Sequence, residues 1–188
     1  ALCNNIYTTI QQDEELSGIL KTYCDFDDTA ESHIFLTTFY SIVITKNTSW
    51  ATQRSLEIIS LGAFLHDIGK IKLSATLRNK KTFEMDSEQL KEYQKHCFYG
   101  VDILKNNPLI TEPISQVIYQ HHELISGTGF PNKLTGSRIY PLAKIVCFAD
   151  FMAHYCALHR LPLQSAITEV ISQKKDIFNF EPECVKSL

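Results

Sequence analysis

Leu65-His66-Asp67-Ile68-Gly69-Lys70 decides how the rest of the chain is read. Neighbouring helical residues point about 100° apart, so His66 and Asp67 cannot pair on one helix face. They can converge on a single cation beside the end of a helix. Gly69 lets the chain turn sharply there. Lys70 has a flexible stem that can bring an ammonium to an anion near that cation. For an isolated His-Asp pair, a polar helix cap is the plain alternative. The preceding run, Ile58-Ile59-Ser60-Leu61-Gly62-Ala63-Phe64-Leu65, is apolar and directs the pair into a core.

The surrounding composition is that of an ordinary soluble globule. The 188 residues are 44% apolar and 21% charged, which suits one domain over 1–188, with an N-terminal helix in 1–28 and a core in 29–185. The net charge of −3 sets up no field for duplex nucleic acid or an anionic membrane. The longest mostly apolar stretches fall short of the ~20 residues of a membrane span. Six cysteines form no Cys-x-x-Cys pair, so reduced thiols in a cytoplasmic protein are expected. A start at Ala1 suggests a piece of a longer protein.

With only seven glycines and six prolines, and no convincing alternating strand run, the chain reads as an all-α bundle of about seven helices. The first covers 4–23, with Ile6, Ile10, Leu16 and Leu20. The next, near 30–45, spaces His33, Leu36, Tyr40, Val43 and Ile44 helically. A third, 50–66, aligns Leu56, Ile59, Ala63 and His66. Residues 67–85 read as a solvated loop. Asp86 with Gln89 forms a capping box for a helix running to Lys105, with Tyr93, His96 and Gly100 on one face. Thr111 and Pro113 open a helix ending at His121-His122-Glu123. Pro141 starts another, with Ala143, Val146, Asp150 and Ala153 on one side. A last helix covers 163–174, followed by a tail that turns at Pro182. The Gly-rich stretch Ser126-Gly127-Thr128-Gly129-Phe130-Pro131 lacks the Gly-Lys-Ser/Thr of a phosphate loop and the preceding strand of a dinucleotide fold.

Five of the seven histidines, His33, His66, His96, His121 and His122, fall at or near core-directed faces. Asp67 and Asp150 sit in similarly apolar company. A buried carboxylate must protonate or find a cation. Each residue has a structural reading on its own, and a lone His such as His33 is usually a satisfied boundary residue. Seven in one core have a simpler joint explanation, a shared metal site. Imidazole with carboxylate suits Fe, Mn, Zn or Co rather than Ca or Mg alone. Seven ligands exceed one tetrahedral ion, so two metals are expected, with Asp67 as the bridge. His154 and His159 are left outside the site. Such a pair of metals suits phosphoester hydrolysis, with Lys70 neutralising charge on the phosphate.

His33, His66-Asp67 and Asp150, in this order, resemble the HD superfamily of metal-dependent phosphohydrolases. The fuller set is similar to its HD-GYP subfamily. It comprises His66-Asp67-Ile68-Gly69-Lys70, His96 with Gly100, and His121-His122-Glu123 followed by Gly127-Thr128-Gly129-Phe130-Pro131. Ala143-Lys144-Ile145 then leads to Ala149-Asp150. The resemblance implies an all-helical cyclic di-GMP phosphodiesterase with Fe or Mn in its centre, Zn, Ni or Co being other candidates. The implied ligands are His33, His66, Asp67, His96, His121, His122 and Asp150, with Lys70 on the phosphate. The chain departs from the pattern at Gly129-Phe130-Pro131, where the family has Gly-Tyr-Pro. Thr29 stands where three-metal members carry Glu, so two ions are expected. Past Asp150 the usual Asp-Ala and Arg-rich run is replaced, leaving Arg160 as the candidate guanine- or phosphate-binding arginine.

The expected activity is opening of cyclic di-GMP to pGpG and on to GMP. The alternative is a catalytically weak or inactive metal-containing module that binds cyclic di-GMP or a partner such as a GGDEF-domain protein. The intact ligand set favours the enzyme, and the altered Gly-Phe-Pro and Arg regions favour the module.

Overall fold

A computed structural model describes residues 8, 10, 12–26, 30–78, 80–173 and 177–188. The beginning of the first expected helix and Thr29 lie outside the described residues. The main helices are α1 (Glu14–Phe26), α2 (Ala30–Lys46) and α3 (Gln53–Leu65), then the short α4 (Ala75–Arg78), α5 (Ser87–Gln94), α6 (His96–Leu104) and α7 (Glu112–Gln120). After them come α8 (Pro141–His159), α9 (Leu163–Gln173) and α10 (Pro182–Lys186). Among the described residues the only β-type pairing is an isolated bridge between Ser126 and Thr135.

Local chemistry explains several boundaries. Thr52 is extended and its hydroxyl accepts from Ser55 N at 2.9 Å, which starts α3. Asp86 and Gln89 form the expected capping box on α5. Proline sits in the first turn of both α7 and α8, where no N–H is needed. Arg160 closes α8 in the left-handed conformation, φ 54°, its N–H donating to Cys156 O.

Two expectations about element boundaries change. The helix read as running from Asp86 to Lys105 is two helices, divided at Lys95, whose N–H bonds to both Glu92 O and Tyr93 O. The Tyr93 carbonyl is also taken by the His96 ring, 2.7 Å away. A side chain inserted into the backbone ladder is a recognised cause of a kink. The 67–85 stretch read as loop carries 3₁₀ turns at Ile68–Lys72 and Thr82–Glu84 as well as α4.

The core sits between α2, α3, α7 and α8, with Ile44, Ile59, Ile118, Ile145 and Met152 fully buried. α2 lies against both α3 and α8, α3 against α7, and the Ile68–Lys72 turn against α6. Gly69 serves that last contact. A Cβ there would stand 1.9 Å from His96 O and 2.5 Å from Gly100 N. Its φ is not positive, so close approach, rather than the sharp turn read from sequence, requires glycine. α8 is the one described helix long and apolar enough to cross a membrane, which exceeds the sequence expectation. It is 67% buried within the protein over that window and carries buried Lys144 and Asp150, as the central helix of a bundle would.

Candidate metal centre

Three histidines stand at helix C-termini that converge. His66 caps α3, His121 caps α7, and His96 follows α5 after Lys95. In each, Nδ1 lies 2.7 Å from the backbone carbonyl three residues back: Ala63 for His66, Ile118 for His121 and Tyr93 for His96. A carbonyl can only accept, so each Nδ1 carries the hydrogen and donates it. In the neutral ring that assignment leaves each Nε2 as a lone pair, oriented by its backbone partner. The C-termini of α3 and α7 also bring partial negative charge, about half an electron each, to the same place.

The carboxylates lie between these rings. Asp67 Oδ1 is 3.5 Å from His96 Nε2 and 3.7 Å from His121 Nε2. Asp67 Oδ2 is 3.4 Å from His66 Nε2, 3.8 Å from His33 Nε2 and 2.5 Å from Lys70 Nζ. The two oxygens of one carboxylate therefore face two different sets of imidazoles. Asp150 Oδ1 stands 2.9 Å from His33 Nε2 and 3.6 Å from His66 Nε2, and Oδ2 is 3.9 Å from His122 Nδ1. Donor atoms of Asp67, His96, His121 and His122 lie within 4.8 Å of one another, as do those of His33, His66 and Asp67.

The arrangement is unsatisfied without a cation. His96 Nε2 and His121 Nε2 face each other at 3.3 Å, and with both Nδ1 hydrogens committed these are two opposed lone pairs. The Nε2 atoms of His33, His66 and His122, with Asp67 Oδ1 and Asp150 Oδ1, are buried and make no aligned hydrogen bond. The His33–Asp150 approach is thus close in distance but not in angle. Orphaned buried acceptors are costly. Imidazole and carboxylate donors fit transition-metal ions.

The electrostatics agree. Burial pushes the Asp67 carboxyl up, but Lys70 and His66 outweigh it and hold it well below the usual range. Asp150 is likewise held down, with His154 the leading partner against burial. Burial pushes His96 down to about 3, and with His121 and His96 as neighbours it keeps His122 well below 6.5. These rings present neutral lone pairs. Burial also opposes charge on His66, but Asp67 and Asp150 outweigh it and raise it to about 10. A cation binding at His66 Nε2 therefore releases a proton.

The HD domain sequence profile matches residues 19–179. This chain belongs to the HD domain family. Among curated proteins, the HD domain is 30% identical over 99 residues to 3'3'-cGAMP-specific phosphodiesterase 2 of Vibrio cholerae, covering 52% of this chain and 19% of that protein. It is 25% identical over 142 residues to the cyclic di-GMP phosphodiesterase response regulator RpfG of Xanthomonas campestris, covering 73% of this chain and 37% of that protein. The chain thus spans well under half the length of these relatives. Its fold is shared with Bd1817, an HDG"Y"P protein of Bdellovibrio bacteriovorus, at a TM-score of 0.69 and 24% identity, over 86% of this chain and 51% of that one.

A cleft of about 590 Å³ opens beside the centre of the HD domain, lined by His122, Asp150, Tyr93, Phe130 and Phe151 among others. The Phe130 ring lies 4.5 Å from that of His122, at 33°, and 6.0 Å from that of His96. Its loop is fixed from below. Glu123, 1% exposed, accepts from Asn132 N at 2.6 Å and Leu134 N at 2.8 Å. Gly129 lies so close to His122 O and Leu124 N that a Cβ would come within 2.4 Å of both. Gly127 takes φ 78°, and the Phe130–Pro131 peptide is cis. Sequence reasoning assigned Glu123 no role, although a carboxylate directly after two candidate ligands and before a Gly-rich turn was a usable signal.

Lys70 reaches the centre as expected, but its ammonium rests on Asp67, and its pKa is held well above the ordinary value by that carboxylate against burial. Arg160 is placed elsewhere. It is exposed at the C-terminus of α8 and is not among the residues lining the cleft. His154, set aside on sequence, stands against Asp150 and His33. His159 packs on Tyr155, away from the centre.

Proposed function

We propose that this HD domain is a metal-dependent phosphodiesterase that opens a cyclic dinucleotide. The observation that carries this is the carboxylate of Asp67, whose two oxygens face separate sets of imidazole nitrogens beside a cleft of about 590 Å³ that His122 and Asp150 line. That volume lies within the range of small-molecule sites. Two transition-metal ions, Fe or Mn by preference, would supply an acidified water and charge neutralisation there. His96, His121, His122 and Asp67 would hold one ion, and His33, His66, Asp67 and Asp150 the other.

The chain's own residues do the rest. Lys70, 12% exposed and 2.5 Å from Asp67, keeps a positive charge beside the carboxylate and offers it to a phosphate oxygen. Tyr93 and Phe130 contribute aromatic rings to the wall of the cleft. In the reaction one P–O bond to a ribose oxygen breaks, one P–O bond to the oxygen of water forms, and the ribose oxygen gains a proton. Cyclic di-GMP is the substrate we expect, since one relative is named for it, while others are named for 3'3'-cGAMP. Cys97, Cys147, Cys156 and Cys184 are free thiols, which supports a reducing, cytoplasmic setting.

A second reading has one observation in its favour. Among the described residues no lysine or arginine lines the cleft, so they offer no fixed cation to phosphate outside the metal centre. A module that binds a cyclic dinucleotide, or a partner such as a GGDEF-domain protein, without turnover would show this. Turnover of cyclic di-GMP and 3'3'-cGAMP by purified, Mn(II)-supplemented protein separates the two. We expect a linear dinucleotide from at least one of them, and binding without product would support the module.

A further inference from the structure

Asp150 and His154 are four residues apart on α8, so they project from the same side of the helix on successive turns. His154 Nδ1 is 3.1 Å from Asp150 Oδ1, and its ring centroid is 4.2 Å from that of His33. Donor atoms of His33, Asp150 and His154 all lie within 4.8 Å of one another. Asp150 Oδ1 is thus approached by three imidazole nitrogens, from His33 at 2.9 Å, His154 at 3.1 Å and His66 at 3.6 Å. Yet that oxygen has no aligned hydrogen bond. Three nitrogens crowded round one carboxylate oxygen without donating to it are arranged as ligands round a shared point.

We propose that His154 is an additional protein ligand of the centre, adding a fifth donor to the ion position formed by His33, His66, Asp67 and Asp150. This rests on the metal-centre reading above. The ligand atom is Nδ1, unlike the Nε2 atoms of His66, His96 and His121. In the ion-free chain His154 Nδ1 also lies 3.1 Å from the Asp150 backbone carbonyl. Ligation places the ring hydrogen on Nε2 instead. The side chain is 60% exposed, so Nε2–H can be solvated by water and needs no protein partner. The consequence is an asymmetric pair. The His154 side holds its ion with five protein donors, while Asp67, His96, His121 and His122 supply four to the other. The five-donor position would hold its ion more tightly than the four-donor position.

The test is Co(II) binding to chelator-stripped protein, followed by equilibrium dialysis and visible absorption. Wild type should bind two ions of unequal affinity. His154→Ala should weaken the tighter one about tenfold or more, leave the weaker one unchanged, and alter the cobalt spectrum. His154→Gln keeps a polar side chain beside Asp150 but offers no imidazole lone pair, and it should behave like His154→Ala. Wild-type affinities and spectrum in His154→Gln would show that the residue only orients Asp150, and would overturn the proposal. A second measurement needs no variant. The Co(II) wild-type protein should give a water-exchanging, paramagnetically shifted ring N–H assigned to His154 Nε2, and a diamagnetic position for that ring would also overturn it. Failure of wild type to bind any ion would refute the metal-centre reading itself, a result distinct from unchanged variants.

Discussion

Gly69→Ala tests the link between packing and site geometry. The added methyl would stand 1.9 Å from His96 O and 2.5 Å from Gly100 N, both backbone atoms of α6. No side chain can rotate away, so α6 must shift by more than an ångström relative to the Ile68–Lys72 turn. Overpacking costs about 1–3 kcal/mol where side chains can yield, and a backbone clash of this depth belongs at or above the top of that range. For a domain of this size about 3 kcal/mol corresponds to a loss of roughly 6–12 °C in Tm. Because His96 is the first residue of α6, the shift also displaces its Nε2 from His121 and Asp67, now 3.3 and 3.5 Å away. Thermal unfolding with metal analysis should therefore show both a lower Tm and lower metal content. Gly18→Ala is the control: a Cβ there meets nothing within 4 Å in α1, and helix propensity predicts a gain of about 0.5–1 kcal/mol. A Gly69→Ala protein as stable as wild type would refute the close-approach argument.

Three further outcomes are expected. Glu123→Gln removes the charge from two buried hydrogen bonds to Asn132 N and Leu134 N and leaves one without an acceptor, so urea unfolding should register a loss of about 2 kcal/mol. Phe130→Tyr adds a hydroxyl to a ring already packed on His122, and kinetics on cyclic di-GMP should change by no more than about tenfold, whereas a thousandfold rise would make that hydroxyl catalytic. Burial pushes the Cys184 thiol up to about 12 and raises Cys97 and Cys147 well above the usual range. All three should stay unreactive to a thiol reagent between pH 7 and 9 in the native state, since the thiolate is the nucleophile, and react on unfolding.

Much of the fold was legible in the sequence because its signals are local. Thr111 with Pro113, Asp86 with Gln89, and Pro141 each mark a helix start by the hydrogen bonds that its first turn lacks. The grouping of His33, His66, Asp67, His96, His121, His122 and Asp150 was legible as buried polar residues on apolar faces. What escaped is tertiary. The break at Lys95 depends on a ring taking a carbonyl, which periodicity does not register. The reason for Gly69 lies on another helix. Glu123 acts on backbone nine and eleven residues away. His154 was left outside the site, and only its spacing of four residues from Asp150 hinted that it stands beside the centre.

The most direct test of the account is the metal content of Asp67→Ala beside wild type, measured by elemental analysis of purified protein. Asp67 is 1% exposed and offers one oxygen to each set of imidazoles. Wild type should carry two transition-metal ions per chain. The variant should lose at least one of them, together with essentially all phosphodiesterase activity, because the shared carboxylate serves both positions. An Asp67→Ala protein that keeps both ions would contradict the assignment of the centre.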